Sequence, residues 1–143
     1  MYIGSDHGGF DLKQELCKFL SQISYGVIDA GPSTPTPMDY PDMAIKVCRQ
    51  LQSEPDAKGI LICGSGIGMS IAANKMKGIR AALCSEPLSA KLSREHNNAN
   101  VLCMGARMIG LEMAKEIAKV FLESHFAEDR HIRRIEKICK IEE

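Results

Sequence analysis

Residues 59–68 read Gly-Ile-Leu-Ile-Cys-Gly-Ser-Gly-Ile-Gly, which is the strongest fold signal in the chain. It begins as a short apolar run, which is typical of a buried strand, and continues as a glycine-rich turn into a helix-like stretch over 69–75. Such a turn exposes backbone N–H groups beside the positive end of a helix dipole. The loop is therefore expected to favour an anion, and the same field favours the thiolate form of Cys63.

Short apolar runs alternate with amphipathic helical patterns along the rest of the chain. The runs contain consecutive apolar residues, as expected for strands of a parallel sheet covered on both faces. The pattern predicts strands over 2–5, 25–29, 59–63, 79–84 and 100–104. A leucine-rich stripe follows the first strand, a helix is predicted over 43–52, and a helical segment follows each later strand. We expect one domain over 1–143, a doubly wound, Rossmann-like α/β fold with a parallel five-stranded sheet sandwiched by helices and a C-terminal helix.

Charge and hydropathy exclude several classes of partner. Lys+Arg and Asp+Glu number 18 each, so no overall field attracts nucleic acid or an acidic membrane surface. The N-terminal residues lack the basic region and the long apolar stretch of a signal peptide, and no segment approaches a membrane span. The sequence therefore predicts a cytoplasmic protein that binds neither nucleic acid nor membrane.

The cysteines and histidines indicate reduced thiols and no metal. The six cysteines form no CxxC pair, and five of them are interpreted as small buried hydrophobes. Only Cys63 precedes a polar, glycine-rich segment. The four histidines are scattered, and none pairs with a cysteine at a metal-ligand spacing.

Two further polar motifs follow or precede predicted strands. Asp6 begins the segment Asp-His-Gly-Gly, where it could cap the first helix, although the neighbouring histidine and glycines favour a ligand-facing turn. In open α/β sheets ligands bind beyond the strand C-termini, so this motif should gather with the glycine loop and the segment after Cys84. Residues 96–100 read His-Asn-Asn-Ala-Asn, which suits an acid or base with amides that orient sugar hydroxyls, or a plain asparagine-rich turn.

The C-terminal segment combines an apolar stripe with a cationic cluster. Arg130 and Arg134 lie one helical turn apart at a predicted helix start, where positive charge opposes the helix dipole. A bound phosphate would remove that conflict, but neighbouring acidic side chains could equally neutralise the arginines as solvated pairs. Glu86 lies where a dinucleotide-binding acid would, but this match is weak because Met69 replaces the third glycine of the fingerprint.

Five segments of the chain resemble the ribose-5-phosphate isomerase B family in residues, order and spacing. They are residues 5–8, 39–42, 62–75, 78–82 and 94–100. The similarity covers nearly the whole chain, and the 62–75 block is its most specific part. The wider family also contains galactose-6-phosphate and allose-6-phosphate isomerases.

The resemblance implies interconversion of D-ribose 5-phosphate and D-ribulose 5-phosphate through a cis-enediolate, without metal or organic cofactor. Cys63 matches the family's catalytic base, which moves one proton between adjacent carbons. The enediolate would be held by the backbone of Gly64, Ser65, Gly66, Ile67 and Gly68. The Ser65 hydroxyl would assist proton movement, and it replaces a threonine common in the family without loss of the hydroxyl.

The resemblance also assigns ring opening, phosphate binding and assembly. His96 matches the residue that opens the furanose ring, with Asp6 as its helper, and Asn97 would bind sugar hydroxyls. The phosphate ligands would be Arg130 and Arg134, with His7 and Arg107 as further candidates. The family forms homodimers, sometimes paired into tetramers, whose active site is shared across the subunit boundary.

Two other functions are compatible with the same motifs. A 6-phosphohexose isomerase would use the same base and glycine loop in a longer pocket. A noncatalytic sugar-phosphate or nucleotide-binding module would use the loop and the arginines without turnover. The presence of both Cys63 and His96 favours an enzyme, because a sensor needs neither a base nor an acid.

Overall fold

Five parallel strands form a single sheet in the computed structural model, which describes residues 1–142. The strands are β1 (Tyr2–Ser5), β2 (Ile28–Gly31), β3 (Gly59–Cys63), β4 (Ala81–Leu83) and β5 (Val101–Gly105). Their spatial order is β2-β1-β3-β5-β4, and every neighbouring pair is parallel. This confirms the predicted five-stranded parallel sheet.

Helices cover both faces of the sheet. They are α1 (Phe10–Gln22), α2 (Tyr40–Ser53), α3 (Ile67–Ala73), α4 (Pro87–Asn97), α5 (Leu111–Glu123) and α6 (Ile132–Cys139). Helices α1, α4 and α5 contribute to the core on one face, and α2 and α3 contribute to the core on the other. The doubly wound sandwich and its C-terminal helix are thus confirmed.

The central strand β3 shows why its sequence is apolar without alternation. Ile60 and Ile62 face one core, whereas Leu61 and Cys63 face the other. The three aliphatic side chains are fully buried. Burying a side chain of this size stabilises the fold by about 1.5–3 kcal/mol, so a polar residue on either face of β3 would be costly.

Several predicted boundaries shift by a few residues. Strand β2 was expected from residue 25 but begins at Ile28, because Ser24 has a φ of 71° and the Tyr25 N–H donates to the Leu20 carbonyl, which prolongs the turn after α1. Helix α2 begins at Tyr40, three residues earlier than expected, because Pro41 fits the first helical turn, where no N–H is needed.

The other shifts concern the ends of the later elements. Helix α3 begins at Ile67, two residues before the predicted start. Strand β4 covers Ala81–Leu83 only, which is shorter than the predicted 79–84, and β5 covers Val101–Gly105. Because Gly105 pairs with Cys63, β5 and β3 end side by side.

Helix α6 carries an apolar stripe that the rest of the chain leaves largely uncovered. None of its residues is buried. Cys139 is exposed and Cys17 is half-buried, so the prediction that both are buried hydrophobes was wrong. Within residues 1–142, none of the helices has both the length and the apolarity needed to cross a bilayer.

Candidate active site

A cleft of about 310 Å³ opens at the edge of the sheet where β1, β3 and β5 end. Its lining residues are Asp6, Tyr40, Cys63, Gly64, Ser65, Gly68, Arg107 and Met108. The Asp6 N–H donates to the Ile62 carbonyl at 3.1 Å, which ties the turn after β1 to the end of β3. The structure therefore brings Asp6 together with the glycine loop. Larger cavities of about 410 and 610 Å³ contain no cysteine or histidine, so size alone does not locate the chemistry.

Cys63 ends β3 and is only 4% exposed. Its Sγ accepts a hydrogen bond from the Gly66 N–H at 3.1 Å. The sulfur is thus an acceptor, which is the role that a thiolate fills best. Burial raises the pKa of Cys48 to about 12 and that of Cys84 to about 11, which keeps these two core thiols protonated.

The glycine loop lies so close to its neighbours that two of its positions admit no side chain. Gly66 has a φ of 76°, and a Cβ there would lie 2.7 Å from the backbone carbon of Met104. A Cβ on Gly68 would lie 2.6 Å from the Tyr40 ring. The loop therefore depends on glycine for both its left-handed conformation and its close packing.

Only part of the loop's backbone remains free to bind an anion. The Gly66 N–H is engaged by Cys63 Sγ, and the Ile67 N–H donates to Ser65 Oγ at 3.2 Å. Within the described part of the chain, three loop N–H groups donate to no protein acceptor, those of Gly64, Ser65 and Gly68. Three backbone donors beside a thiol could hold an oxyanion.

Asp6 follows β1 directly and precedes a single 3₁₀ turn over His7–Gly9. Asp6 is buried, and its Oδ1 accepts a hydrogen bond from the Gly9 N–H at 3.1 Å, so it does cap this turn while lining the cleft. His7 is exposed, and its Nδ1 accepts from the Met38 N–H at 3.3 Å. A neutral His7 then carries its proton on Nε2, as a free donor.

Three more side chains line the cleft. Arg107 covers Gly64, with Nη1 at 3.3 Å from the position that a Gly64 Cβ would occupy. Sequence reasoning missed Tyr40 and Met108 as lining residues. The 39–42 segment of the family resemblance contained Tyr40 and could have pointed to it, whereas no signal marked Met108.

Glu86 has a structural role that explains its position. Its carboxylate accepts hydrogen bonds from the N–H groups of Leu88 at 2.6 Å and Ser89 at 2.7 Å, which caps α4. Hydrogen bonding to Ser89 is the main reason why the pKa of Glu86 is lowered. The segment after Cys84 therefore starts a helix and does not line the cleft.

A second cluster holds the remaining predicted site residues, which are His96, Asn97, Arg130 and Arg134. It also contains His131, which was not a predicted site residue. The His96 and His131 rings are stacked, with centroids 4.5 Å apart and planes at 13°. Arg134 Nη1 lies 3.4 Å from His131 Nδ1. Asn97 is the exposed last residue of α4, and Arg130 lies in the 3₁₀ turn before α6.

Within one chain, this second cluster lies at the opposite edge of the sheet from Cys63. Helix α4 ends just before β5 begins, and the Gly59 N–H at the start of β3 donates to the Asn100 carbonyl. The length of β3 from Gly59 to Cys63 separates the two edges by about 13 Å, at roughly 3.3 Å per residue. A single chain thus holds two separate groups of predicted site residues. Within residues 1–142, no group of three or more His, Cys, Asp or Glu side chains could hold a metal ion.

The family model for ribose/galactose isomerase matches residues 1–138. The chain belongs to the ribose/galactose isomerase family. Among its curated relatives in this family, ribose-5-phosphate isomerase B of Escherichia coli is 47% identical over 140 residues, covering 98% of this chain and 94% of the relative. The family resemblance of the sequence is therefore confirmed.

Solved structures of the ribose/galactose isomerase family share the fold closely. Ribose-5-phosphate isomerase B of Clostridium thermocellum has a TM-score of 0.96 at 48% identity, covering 99% of this chain and 95% of that one. The Mycoplasma genitalium enzyme of the same name, with bound ribulose-5-phosphate, has a TM-score of 0.95 at 41% identity, covering 99% and 94%. Cys63 and its loop therefore lie in the same fold as family members that carry the name of an isomerase.

Proposed function

We propose that residues 1–143 form one sugar-phosphate isomerase domain that interconverts D-ribose 5-phosphate and D-ribulose 5-phosphate. The observation that carries this proposal is the position of Cys63, whose sulfur lies beside three unengaged loop N–H groups in a cleft with Asp6. The names of the E. coli and C. thermocellum relatives support the same reaction.

The isomerisation moves a proton between two adjacent carbons. The Cys63 thiolate takes the proton from C2 of the open-chain aldose, the electron pair forms the C1–C2 double bond, and the sulfur returns the proton to C1. The backbone N–H groups of Gly64, Ser65 and Gly68 stabilise the enediolate oxygens between these steps. The exposed Ser65 hydroxyl moves a proton between the two oxygens.

Ring opening and substrate binding need the second cluster. His96 donates a proton to the ring oxygen as the C1–O bond breaks, and Asp6 takes the proton of the C1 hydroxyl. Asn97 binds sugar hydroxyls. The phosphate is held by charge-assisted hydrogen bonds from Arg130, Arg134, His7 and Arg107. No step requires a metal or an organic cofactor, because the base, the acid and the oxyanion donors are all protein groups.

A second copy of the chain would unite the two groups of residues. Exposed apolar side chains lie beside each group: Met108, in the lining of the Cys63 cleft, is 68% exposed, and Ile141, which lines a cavity with Asn97, is 83% exposed. Apolar surface of this kind marks an interaction site. In a homodimer with twofold symmetry, the Cys63 cleft of one subunit would meet the His96 cluster of its partner, and two dimers could pair into a tetramer.

A cytoplasmic setting fits the thiol chemistry. All six cysteines are free. A reducing compartment preserves Cys63 as a thiol that can ionise, whereas an oxidising compartment would favour oxidation of this proposed base.

Substitution of the base tests the reaction. We expect Cys63→Ala to abolish both the turnover of ribose 5-phosphate and the exchange of the C1 hydrogen of ribulose 5-phosphate into D₂O. Binding of ribose 5-phosphate, measured by calorimetry, should persist. Cys17→Ala is the matched control and should remain active, because that half-buried thiol lies on α1 away from the cleft. Turnover by Cys63→Ala would refute the proposed base.

A complementation experiment tests the shared site. Cys63→Ala and His96→Asn chains should each be inactive on ribose 5-phosphate. After unfolding and refolding of an equal mixture, mixed dimers should each carry one intact site, which predicts recovery of about one quarter of wild-type turnover. Absence of recovery, with mixed dimers shown by native mass spectrometry, would place each site within one chain.

The family description leaves room for a six-carbon substrate, since it includes galactose. We propose the pentose phosphate because both structural relatives named above carry the ribose-5-phosphate isomerase B name. Comparison of kcat/KM for ribose 5-phosphate, allose 6-phosphate and galactose 6-phosphate decides the question. A higher value for either hexose phosphate would contradict the pentose assignment.

A further inference from the structure

His131 contacts two proposed site residues although the reaction described above gives it no role. The residue is only 7% exposed, and its ring stacks on that of the half-buried His96, with centroids 4.5 Å apart. Its Nδ1 lies 3.4 Å from Nη1 of Arg134. One buried side chain therefore bridges the proposed ring-opening acid and a proposed phosphate ligand.

The chemistry of the second contact determines the state of the His131 ring. A guanidinium group donates hydrogen bonds and accepts none. A hydrogen bond across this contact needs Nδ1 as the acceptor, which requires a neutral His131 with its proton on Nε2. Burial is the main reason why the pKa of His131 is lowered, and the charges of His96, Arg130 and Arg134 act in the same direction against the opposing Asp129.

We infer that His131 is a positioning residue that sets the ring plane of His96 and the orientation of the Arg134 guanidinium. A neutral ring can stack on the imidazolium that His96 needs for proton donation without repulsion between like charges, so the stack fixes the orientation of the acid. The Nδ1 lone pair holds Arg134 in place before phosphate arrives, which lowers the entropy cost of binding. This inference rests on the proposed function, because it needs His96 as the ring-opening acid.

Two substitutions test separately the ring stacking of His131 on His96 and its role as a hydrogen-bond acceptor for Arg134. His131→Phe keeps a planar ring under His96 but removes the acceptor for Arg134. We expect its KM for ribose 5-phosphate to rise about five- to tenfold with kcat within about twofold of wild type. His131→Asn keeps an acceptor oxygen but loses the aromatic ring. We expect its kcat for ribose 5-phosphate to fall about tenfold or more, because a misplaced acid opens the ring slowly.

A second measurement distinguishes positioning from a general loss of structure. Exchange of the C1 hydrogen of ribulose 5-phosphate into D₂O needs the base and the loop but no ring opening. His131→Asn should therefore retain near wild-type exchange at saturating substrate while its turnover of ribose 5-phosphate falls. Equal losses of exchange and turnover, or identical defects in the Phe and Asn variants, would overturn the inference and leave His131 a packing residue.

His96→Asn and Cys63→Ala separate failure of this inference from failure of the proposed function. Wild-type kinetics of both His131 variants, in an enzyme that these two substitutions inactivate, would overturn the positioning role alone. Full turnover of ribose 5-phosphate by His96→Asn would overturn the inference together with the ring-opening role of His96, because no ring-opening acid would remain for His131 to orient. Absence of turnover by the unsubstituted enzyme would overturn the proposed function itself.

Discussion

Replacing Gly66 with alanine should destabilise the protein by about 2–4 kcal/mol, and the structure separates this cost into two parts. The residue has a φ of 76°, a conformation that costs a non-glycine residue about 1–2 kcal/mol. Its Cβ would also lie 2.6 Å from Leu83 Cδ1 and 2.7 Å from the backbone carbon of Met104. Overpacking costs about 1–3 kcal/mol, and the lower entropy of the unfolded chain offsets about 0.4–1 kcal/mol of the total.

Gly78→Ala is the matched control for this experiment. Gly78 has the same φ of 76°, but a Cβ there would meet no atom within 4 Å. It should therefore cost only the conformational part, about 1 kcal/mol or less after the entropy offset. Urea unfolding of both variants at one protein concentration measures the difference, which we expect to be about 1–3 kcal/mol.

Equal destabilisation by the two substitutions would refute the steric argument, because only the backbone strain is common to both. Turnover provides a second comparison. The Gly66 N–H donates a hydrogen bond to Cys63 Sγ. A shift of the loop displaces this donor, so we expect Gly66→Ala to lower the turnover of ribose 5-phosphate. Gly78→Ala lies outside the cleft and should retain wild-type turnover.

Two other substitutions test the core and its dependence on pH. Lys13 is fully buried, with Nζ at 2.7 and 2.6 Å from the Asp29 oxygens. Asp29→Ala leaves this buried ammonium without its counter-charge and with the Pro32 carbonyl as its remaining acceptor, and should cost about 3 kcal/mol. Lys13→Met should destabilise the protein less than Asp29→Ala in thermal unfolding, because the Asp29 carboxylate is partly exposed and still accepts a hydrogen bond from the Gly31 N–H. A larger destabilisation by Lys13→Met would contradict this argument. Burial raises the pKa of Cys48 from 9.0 to about 12, so above pH 9 the unfolded chain releases this proton first and the free energy of unfolding falls as pH rises. Cys48→Ala should flatten that fall in urea titrations between pH 8 and 10, and an unchanged slope would exclude this thiol as a cause.

Local pattern was sufficient to predict the layers of the fold because each strand and helix is specified by its own periodicity. The apolar run before Cys63 is buried on both faces, as in a parallel sheet covered by helices, and the helical patterns that alternate with the apolar runs favour that arrangement. The ends of the elements depended on contacts that no local pattern contains. Strand β2 starts late because Tyr25 bonds back to the end of α1.

The candidate site was predictable where its residues are adjacent in sequence. The strand, the thiol and the glycines of 59–68 create the anion-binding loop by themselves, since backbone N–H groups and a helix start follow from chain connectivity. The contents of the cleft were not predictable from the same pattern. Tyr40 enters it from α2, and no local spacing reports that a distant ring packs on Gly68.

Sequence patterns alone therefore predicted a parallel α/β sandwich with a thiol beside an anion-binding glycine loop. The three-dimensional structure was needed to show which loop N–H groups remain free, because that depends on the hydrogen bonds of Gly66 and Ile67. It also placed His96 and Arg134 at the opposite edge of the sheet from Cys63, because α4 runs antiparallel to the strands and ends where β5 begins. Such a separation arises from the path of the chain in space, which residue patterns along the sequence do not encode.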